Sequence, residues 1–408
     1  LHRVDRRQRQ MCIRDRYTIK GIFPGRVDFG NGQNRHVTVT APVRSGKSTF
    51  WQTTVAAMLA HMENPFIYLI DVNVDQSASR IGARALGGVV LSFAKGTAAL
   101  QPFRDIDNTE RKKTAARWVK QCIRAHGMDD KSPSIHGRLE EAFRLMAKLP
   151  HNLRTVQNFR KIVQDKTIRQ CLQPFATGDY APHVGGNKNV VGQPPYVVVD
   201  CTGLMKGDPL AACVVAALID EITFTVSKHK GPVQLGIDEA VQVFPLIGDS
   251  MNLAYKSWPK LGGGITVVIH SPNDLDEIGY TGSVISGNTG AWVCLMDQRA
   301  TENPSYEKHL KLTEFHRALI SEMKIGEFMV AVGPDVRVLQ TDLSKLEKWV
   351  LGQGGKESFE LAERIDSPEI STDEFCIRLL NEGKFYDEAK WIESRFGSNC
   401  LQYGIAAE

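Results

Sequence analysis

The sequence predicts an α/β fold: a mainly parallel sheet, a helical subdomain inserted between its early and later strands, and a closing β-hairpin. Three observations carry that expectation. Short β-branched runs alternate with helical patterns, as they do where crossover helices join parallel strands. Strand signals stop from about Asn108 to Thr177, where only helical spacing remains. Two further runs, "EFMVAVG" (327–333) and "VRVLQ" (336–340), flank a Pro334-Asp335 turn and read as the closing hairpin at the sheet edge.

In chain order the expected strands are "HVTVT" (36–40), "FIYLI" (66–70), "VVLS" (89–92), "YVVVD" (196–200), "VQLGID" (233–238), "ITVVI" (265–269) and "AWVCLM" (291–296). Near-continuous apolar runs of this kind belong to strands covered on both faces. Within the interruption, Ile135, Leu139, Phe143, Met146 and Leu149 recur at helical spacing and make one apolar stripe. From Glu357 onward the pattern is helical and polar, with "SPEIST" as a break. The chain is thus expected to divide into a tail (1–20), a first part of the core (21–107), the helical insert (108–177), a second part of the core (178–345) and a helical C-terminal stretch (346–408).

At 408 residues, with 42% hydrophobic and 24% charged, the composition is ordinary for a globular protein. The net charge of +4 is uneven: residues 1–20 hold seven Lys and Arg against two Asp, which leaves the rest at −1. That remainder makes no case for a dedicated nucleic-acid binder. The basic start lacks an apolar h-region and a cleavage pattern, so it is no export signal and reads as a disordered or artefactual tail. The eight cysteines are scattered, without C-x-x-C or histidines at metal spacing, which argues against a disulfide scaffold or a zinc site. The longest apolar run, Pro209 to Ile219, is too short to span a bilayer.

The chemistry concentrates in "VTVTAPVRSGKSTF" (37–50). A strand, a turn and a helix follow one another here, and backbone N–H groups at such a helix start point at phosphates. Pro42, Val43, Arg44, Ser45, Gly46, Lys47, Ser48 and Thr49 are the candidate nucleotide-binding residues. Lys47 would neutralise the β- and γ-phosphates of ATP, and Ser48 would place its hydroxyl on Mg²⁺. The pattern G-x-x-x-x-G-K-[ST] asks for glycine at position 41, where this chain has Ala41. At positive φ, alanine costs roughly 1 kcal/mol over glycine; at negative φ it costs almost nothing. "VQLGIDEA" supplies the acidic half, with Asp238 for the Mg²⁺ shell and Glu239 to orient and polarise the attacking water. His270, after "ITVVI", can donate a hydrogen bond to a γ-phosphate; a half-exposed histidine at a strand end is the plainer alternative. The catalytic candidates are therefore Glu239, Lys47 and His270, and the metal ligands Ser48 and Asp238.

With these motifs in place, the chain resembles the ATPases of type IV secretion and conjugal transfer, the TrbE/TraC/VirB-type group among the HerA/FtsK-like motors. The segments that carry the resemblance are "FIYLIDVNVDQSASRIGARALGGVVLSF", "LQPFRDID", "LEEAFRLMAKLPHNLRTVQNFRKIV", "LGIDEA", "LGGGITVVIHSPNDL" and "EMKIGEFMVAVG", in the family's order, between about residues 30 and 345. It implies a RecA-like P-loop NTPase that works as a homo-hexamer. It also implies a cytoplasmic protein held at the inner membrane by other secretion-system subunits, driving assembly of the apparatus or substrate transfer. The sequence departs from the family at Ala41, at Ile269-His270-Ser271 in place of Thr-Gln-Ser, and at Pro259-Lys260 in place of Arg-Lys. The role of a basic residue reaching a neighbour's nucleotide would then be missing or taken by Lys256, Lys260 or Arg84. The family's large N-terminal half has no counterpart, so the chain is expected to be the C-terminal motor half. Two other readings stay open: a HerA/FtsK-like DNA-translocating ATPase, and an assembly subunit that binds ATP without turnover. Base contacts are expected near Gly333 or Asp335.

Overall fold

The computed structural model describes residues 17–19, 36–72, 79–187, 189–191, 195–204, 208–354, 356–367 and 369–396. The basic segment 1–16 lies outside the described residues. Among the described residues, ten strands form one sheet: β1 (Tyr17–Ile19), β2 (Val37–Thr40), β3 (Phe66–Asp71), β4 (Val89–Ser92), β5 (Tyr196–Asp200), β6 (Val233–Ile237), β7 (Gly263–Ile269), β8 (Ala291–Leu295), β9 (Glu327–Val332) and β10 (Asp335–Thr341). Their spatial order is β1-β10-β9-β8-β2-β7-β6-β3-β5-β4. From β8 to β4 every pairing is parallel; β9, β10 and β1 add on antiparallel. The apolar runs are central strands: β2, β5, β6, β7 and β8 are buried along their whole length.

The closing hairpin differs from expectation in two details. Val332 opposes Asp335, so the two-residue loop is Gly333-Pro334, and Gly333 takes the positive φ of 56° that a tight connection of this kind uses. Nor is the hairpin the sheet's edge. Tyr17–Ile19, inside the stretch expected to be a tail, pairs with β10 in the register Tyr17↔Thr341. A strand edge left open presents unpaired N–H and C=O groups, and three extended residues suffice to meet them.

Helix α1 (Lys47–His61) follows β2, and α2 (Ser79–Ala85) joins β3 to β4. Between β4 and β5 lie α3 (Thr109–Ala125), α4 (Pro133–Met146), α5 (Val156–Ile162), α6 (Lys166–Cys171), α7 (Gln173–Ala176) and α8 (Ala181–Val184). Phe103, Trp118, Phe143, Phe159 and Phe175 pack together as their core, Phe103 stacked on Phe159 and the other pairs tilted or edge-on. Ile135, Leu139, Phe143 and Met146 are buried as the stripe requires, while Leu149 lies beyond the end of α4 and is half-buried.

Helix α9 (Pro209–Lys228) runs on past the apolar stretch that ends at Ile219. It is long and apolar enough to cross a membrane, yet it packs in the core against α3 and α10 (Ala240–Ser257). Asp220 and Glu221 do not end it, because α3 answers both charges. Arg117 pairs with Asp220, and Arg111 forks onto Glu221 at 2.6 and 2.9 Å with its guanidinium over the Phe224 ring. Helices α11 (Asp274–Glu277), α12 (Tyr280–Asn288), α13 (Ser305–Leu310) and α14 (Glu314–Glu322) complete the flanks. The C-terminal helices α15 (Lys345–Leu351), α16 (Lys356–Ile365), α17 (Thr372–Glu382) and α18 (Tyr386–Phe396) include a satellite core in which Leu361, Ile365, Phe375 and Leu379 cover Ile81 and Ala85 of α2.

Candidate active site

The parallel strands all end at one edge of the sheet, and their order brings the three sequence motifs together there. β2 delivers the glycine-containing loop, β6 delivers Asp238 and Glu239, and β7 lies between them and ends at His270. Ala41 is still part of the sheet. Its N–H donates to the Ile269 carbonyl at 2.9 Å, its side chain is buried, and its φ is negative. Alanine therefore costs nothing here that glycine would save. The turn comes later: the Ser45 N–H donates to Pro42 O at 3.1 Å, Arg44 sits at φ 66°, and Gly46 at φ 95° caps α1. Val43 stands exposed at the tip. The first turn of α1 holds no acidic residue, so its positive end is not neutralised from within. The Ser45 hydroxyl is buried and has no hydrogen-bond partner among the described residues, so it is free to donate to an acceptor oxygen at the loop.

Lys47 opens α1 and reaches across β7. Its Nζ lies 3.7 Å from Asp238 Oδ1 and 3.8 Å from Glu239 Oε1. Glu239 precedes α10 at φ 51°, a left-handed backbone that costs a non-glycine residue about 1–3 kcal/mol and is found where function fixes a side chain. Its N–H donates to Asp238 Oδ1 at 3.0 Å, locking the two acids together. Burial pushes the Asp238 carboxyl above the usual range; Lys47 opposes that rise and the Glu239 charge adds to it. Ser48 lines the same cleft as Lys47 and Asp238. Thr49 is half-buried in the first turn of α1; its carbonyl accepts from the Thr53 hydroxyl at 2.8 Å, and its own hydroxyl lies 3.6 Å from where a Cβ on Gly352 would stand. Asp274 Oδ2 receives the His270 backbone N–H at 2.7 Å, while the ring Nδ1 is buried without a partner among the described residues.

Asp71, which lies in the segment "FIYLIDVNVDQSASRIGARALGGVVLSF" but is not among the candidate site residues, also lines the cleft. It ends β3, beside β6, is 1% exposed and accepts from the Ser79 hydroxyl. The signal was present: "FIYLID" closes on an aspartate as "VQLGID" does. Among the described residues no cluster of three or more His, Cys, Asp or Glu is placed to hold a metal. Ser48 and Asp238 supply two hard oxygens, so any Mg²⁺ here needs phosphate and water oxygens for the rest.

The residues expected to serve a neighbour's nucleotide, and those expected near the base, lie away from this chain's own cleft. Arg84 is spent inside the chain, paired with Asp366 at 3.0 Å and bonded to the Ile370 carbonyl. Lys256 ends α10 and Lys260 follows in a short turn before β7, so both lie at the opposite edge of the sheet, about 25 Å along α10 from Glu239. Gly333 and Asp335 occupy the hairpin tip, the length of β9 away from the cleft edge, about 20 Å.

No protein-family model matches the chain, and no curated protein matches its sequence. Solved structures do. That of VirB4 of Thermoanaerobacter pseudethanolicus superposes with a TM-score of 0.63 at 16% identity, covering 79% of this chain and 94% of that one. The plasmid coupling protein TrwB in complex with the ATP analogue ADPNP gives 0.51 at 12% identity over 84% and 93%. TrwB with ADP and Mg²⁺ gives 0.52 at the same identity and coverage. At such identities the likeness is one of architecture: the chain is an α/β protein of the RecA-like P-loop fold seen in VirB4 and TrwB.

Proposed function

We propose that the chain is an ATPase that uses Mg²⁺ and powers assembly of, or transfer through, a type IV secretion or conjugation apparatus. In this reading it works as a homo-hexamer at the cytoplasmic face of the inner membrane, docked on other secretion subunits. The observation that carries the ATPase reading is Lys47, poised between Asp238 and Glu239 at the start of α1. The likeness to VirB4 and to a coupling protein supports the secretion context.

The roles follow from the geometry. The amides of residues 45–48 and the Ser45 hydroxyl cradle phosphate oxygens, and Lys47 exchanges its carboxylate partners for the β- and γ-phosphates. Ser48 and Asp238 would hold Mg²⁺, which would supply positive charge beside the phosphates. Freed from Lys47, the Glu239 carboxylate accepts a hydrogen bond from the attacking water and takes its proton. His270, ending the strand between loop and acids, donates to the terminal phosphate.

Steady-state hydrolysis by the full chain tests this, beside Glu239→Gln and Lys47→Ala. Glu239→Gln is expected to lower turnover by about 10²-fold or more with ATP binding intact; Lys47→Ala is expected to lose binding as well. Wild-type protein that binds ATP with no turnover would transfer the case to the assembly-subunit reading.

One observation favours a second reading, ATP-driven translocation along DNA. Residues 108–177 carry fifteen Lys and Arg against six Asp and Glu, a surplus of nine. The near-neutral body charge therefore conceals a strongly basic insert and an acidic remainder.

A further inference from the structure

The terminal phosphate and the base of a bound nucleotide lie at opposite ends of the ligand, and the sheet order says which end goes where. Asp238 and Glu239, the groups that face the terminal phosphate in the proposed site, follow β6, two strands to one side of β2. The sugar and base then fall on the other side, over β8 and β9. β9 runs antiparallel to β8, with Phe328 opposite Leu295, so its first residues arrive at the same edge as the phosphate loop.

An apolar side chain stands in water there. Ile325, between α14 and β9, is 69% exposed, and its Cγ2 lies 3.9 Å from where a Cβ on Gly46 would stand. The turn that presents it is fixed by its neighbours. The Lys324 N–H donates to Glu327 Oε2 at 3.0 Å, the Glu327 N–H returns to the Lys324 carbonyl at 2.9 Å, and Gly326 at φ 94° offers its carbonyl to the Thr341 N–H at 2.7 Å. Val43, 73% exposed at the loop tip, is a second apolar group at the same rim.

We propose that Ile325 is the platform on which the purine base of the nucleotide lies. The inference rests on the ATP-site reading above and adds to it the residue that receives the base. A flat ring laid on a branched aliphatic side chain removes apolar surface of both from water. An aliphatic side chain offers no donor or acceptor, so the platform holds adenine and guanine alike.

The test is equilibrium binding of ATP, GTP and inorganic tripolyphosphate, each with Mg²⁺, to the full chain and to Ile325→Ala, Ile325→Trp and Lys47→Ala. Ile325→Ala is expected to weaken ATP and GTP together by about 5- to 10-fold and to leave tripolyphosphate unchanged. Ile325→Trp is expected to tighten both nucleotides, and Lys47→Ala to weaken all three ligands. If Ile325→Ala weakens tripolyphosphate as much as ATP, or leaves ATP unchanged, the platform is wrong and the site stands. If wild-type protein binds neither ATP nor tripolyphosphate, site and platform fall together.

Discussion

A buried alanine occupies the position where the phosphate-loop pattern asks for glycine, and its surroundings make the exchange harmless. Ala41 is the last rung of the ladder between β2 and β7, at negative φ, while the left-handed positions fall on Arg44 and Gly46. Restoring glycine adds freedom to the unfolded chain and saves no strain. Ala41→Gly is therefore expected to lower stability by about 0.5–1 kcal/mol in urea titration and to leave turnover within about twofold. A tenfold gain in turnover would mean that the loop needs freedom at this position after all. Residue identity alone left the matter in two branches, because the sign of φ depends on what the strand pairs with. Glu239 teaches the same lesson: its type was legible, its positive φ was not. Arg84 looked available in the sequence, and a residue 282 positions later, Asp366, claims it.

At the scale of elements, strands were legible where they are apolar throughout, since only a strand covered on both faces has no need of polar alternation. β1 was not, because three residues carry no pattern of their own and pair only when β10 offers an edge. The length of α9 was illegible for a different reason: the apolar run stops at Ile219, and the helix carries Asp220 and Glu221 inside it because Arg111 and Arg117 arrive from α3. This clamp makes a pH prediction. Burial pushes the Asp220 carboxyl up to about 6, against the pull of Arg117. Between about pH 4 and 6 the folded chain then holds a proton that the unfolded chain has lost, so this group's contribution to stability falls as pH rises through that window. Asp220→Asn removes the ionisation and keeps a hydrogen-bond acceptor for Arg117. Relative to the variant, wild-type protein is expected to be less stable at pH 8 than at pH 5, by about 1–3 kcal/mol in paired urea titrations. A difference of the opposite sign would show that the Arg117 attraction outweighs burial.

For the whole molecule, the distribution of charge matters more than its sum. The sheet order sets the site at one edge, and the helices between β4 and β5 carry the basic surplus elsewhere. Several of the insert's charges are internal: Arg111, Arg117 and Arg154 each face an acid and hold the insert to its neighbours or to itself. Others are not. Lys161, Lys166 and Arg169, on α5 and α6, are exposed and make no ion pair among the described residues. Surface cations of this kind, left unpaired in an insert with so few acids, attract polyanions and release counterions when they bind one. The chain is therefore expected to bind single-stranded DNA with an affinity that falls steeply with salt. The Lys161→Glu/Lys166→Glu/Arg169→Glu variant is expected to flatten the slope of log K against log salt by about 2, roughly 0.7 for each phosphate that the variant no longer neutralises. Its DNA-free ATP turnover should match wild type, because none of the three touches the cleft. Binding that ignores both salt and charge reversal would remove the translocation reading. The secretion reading would stand.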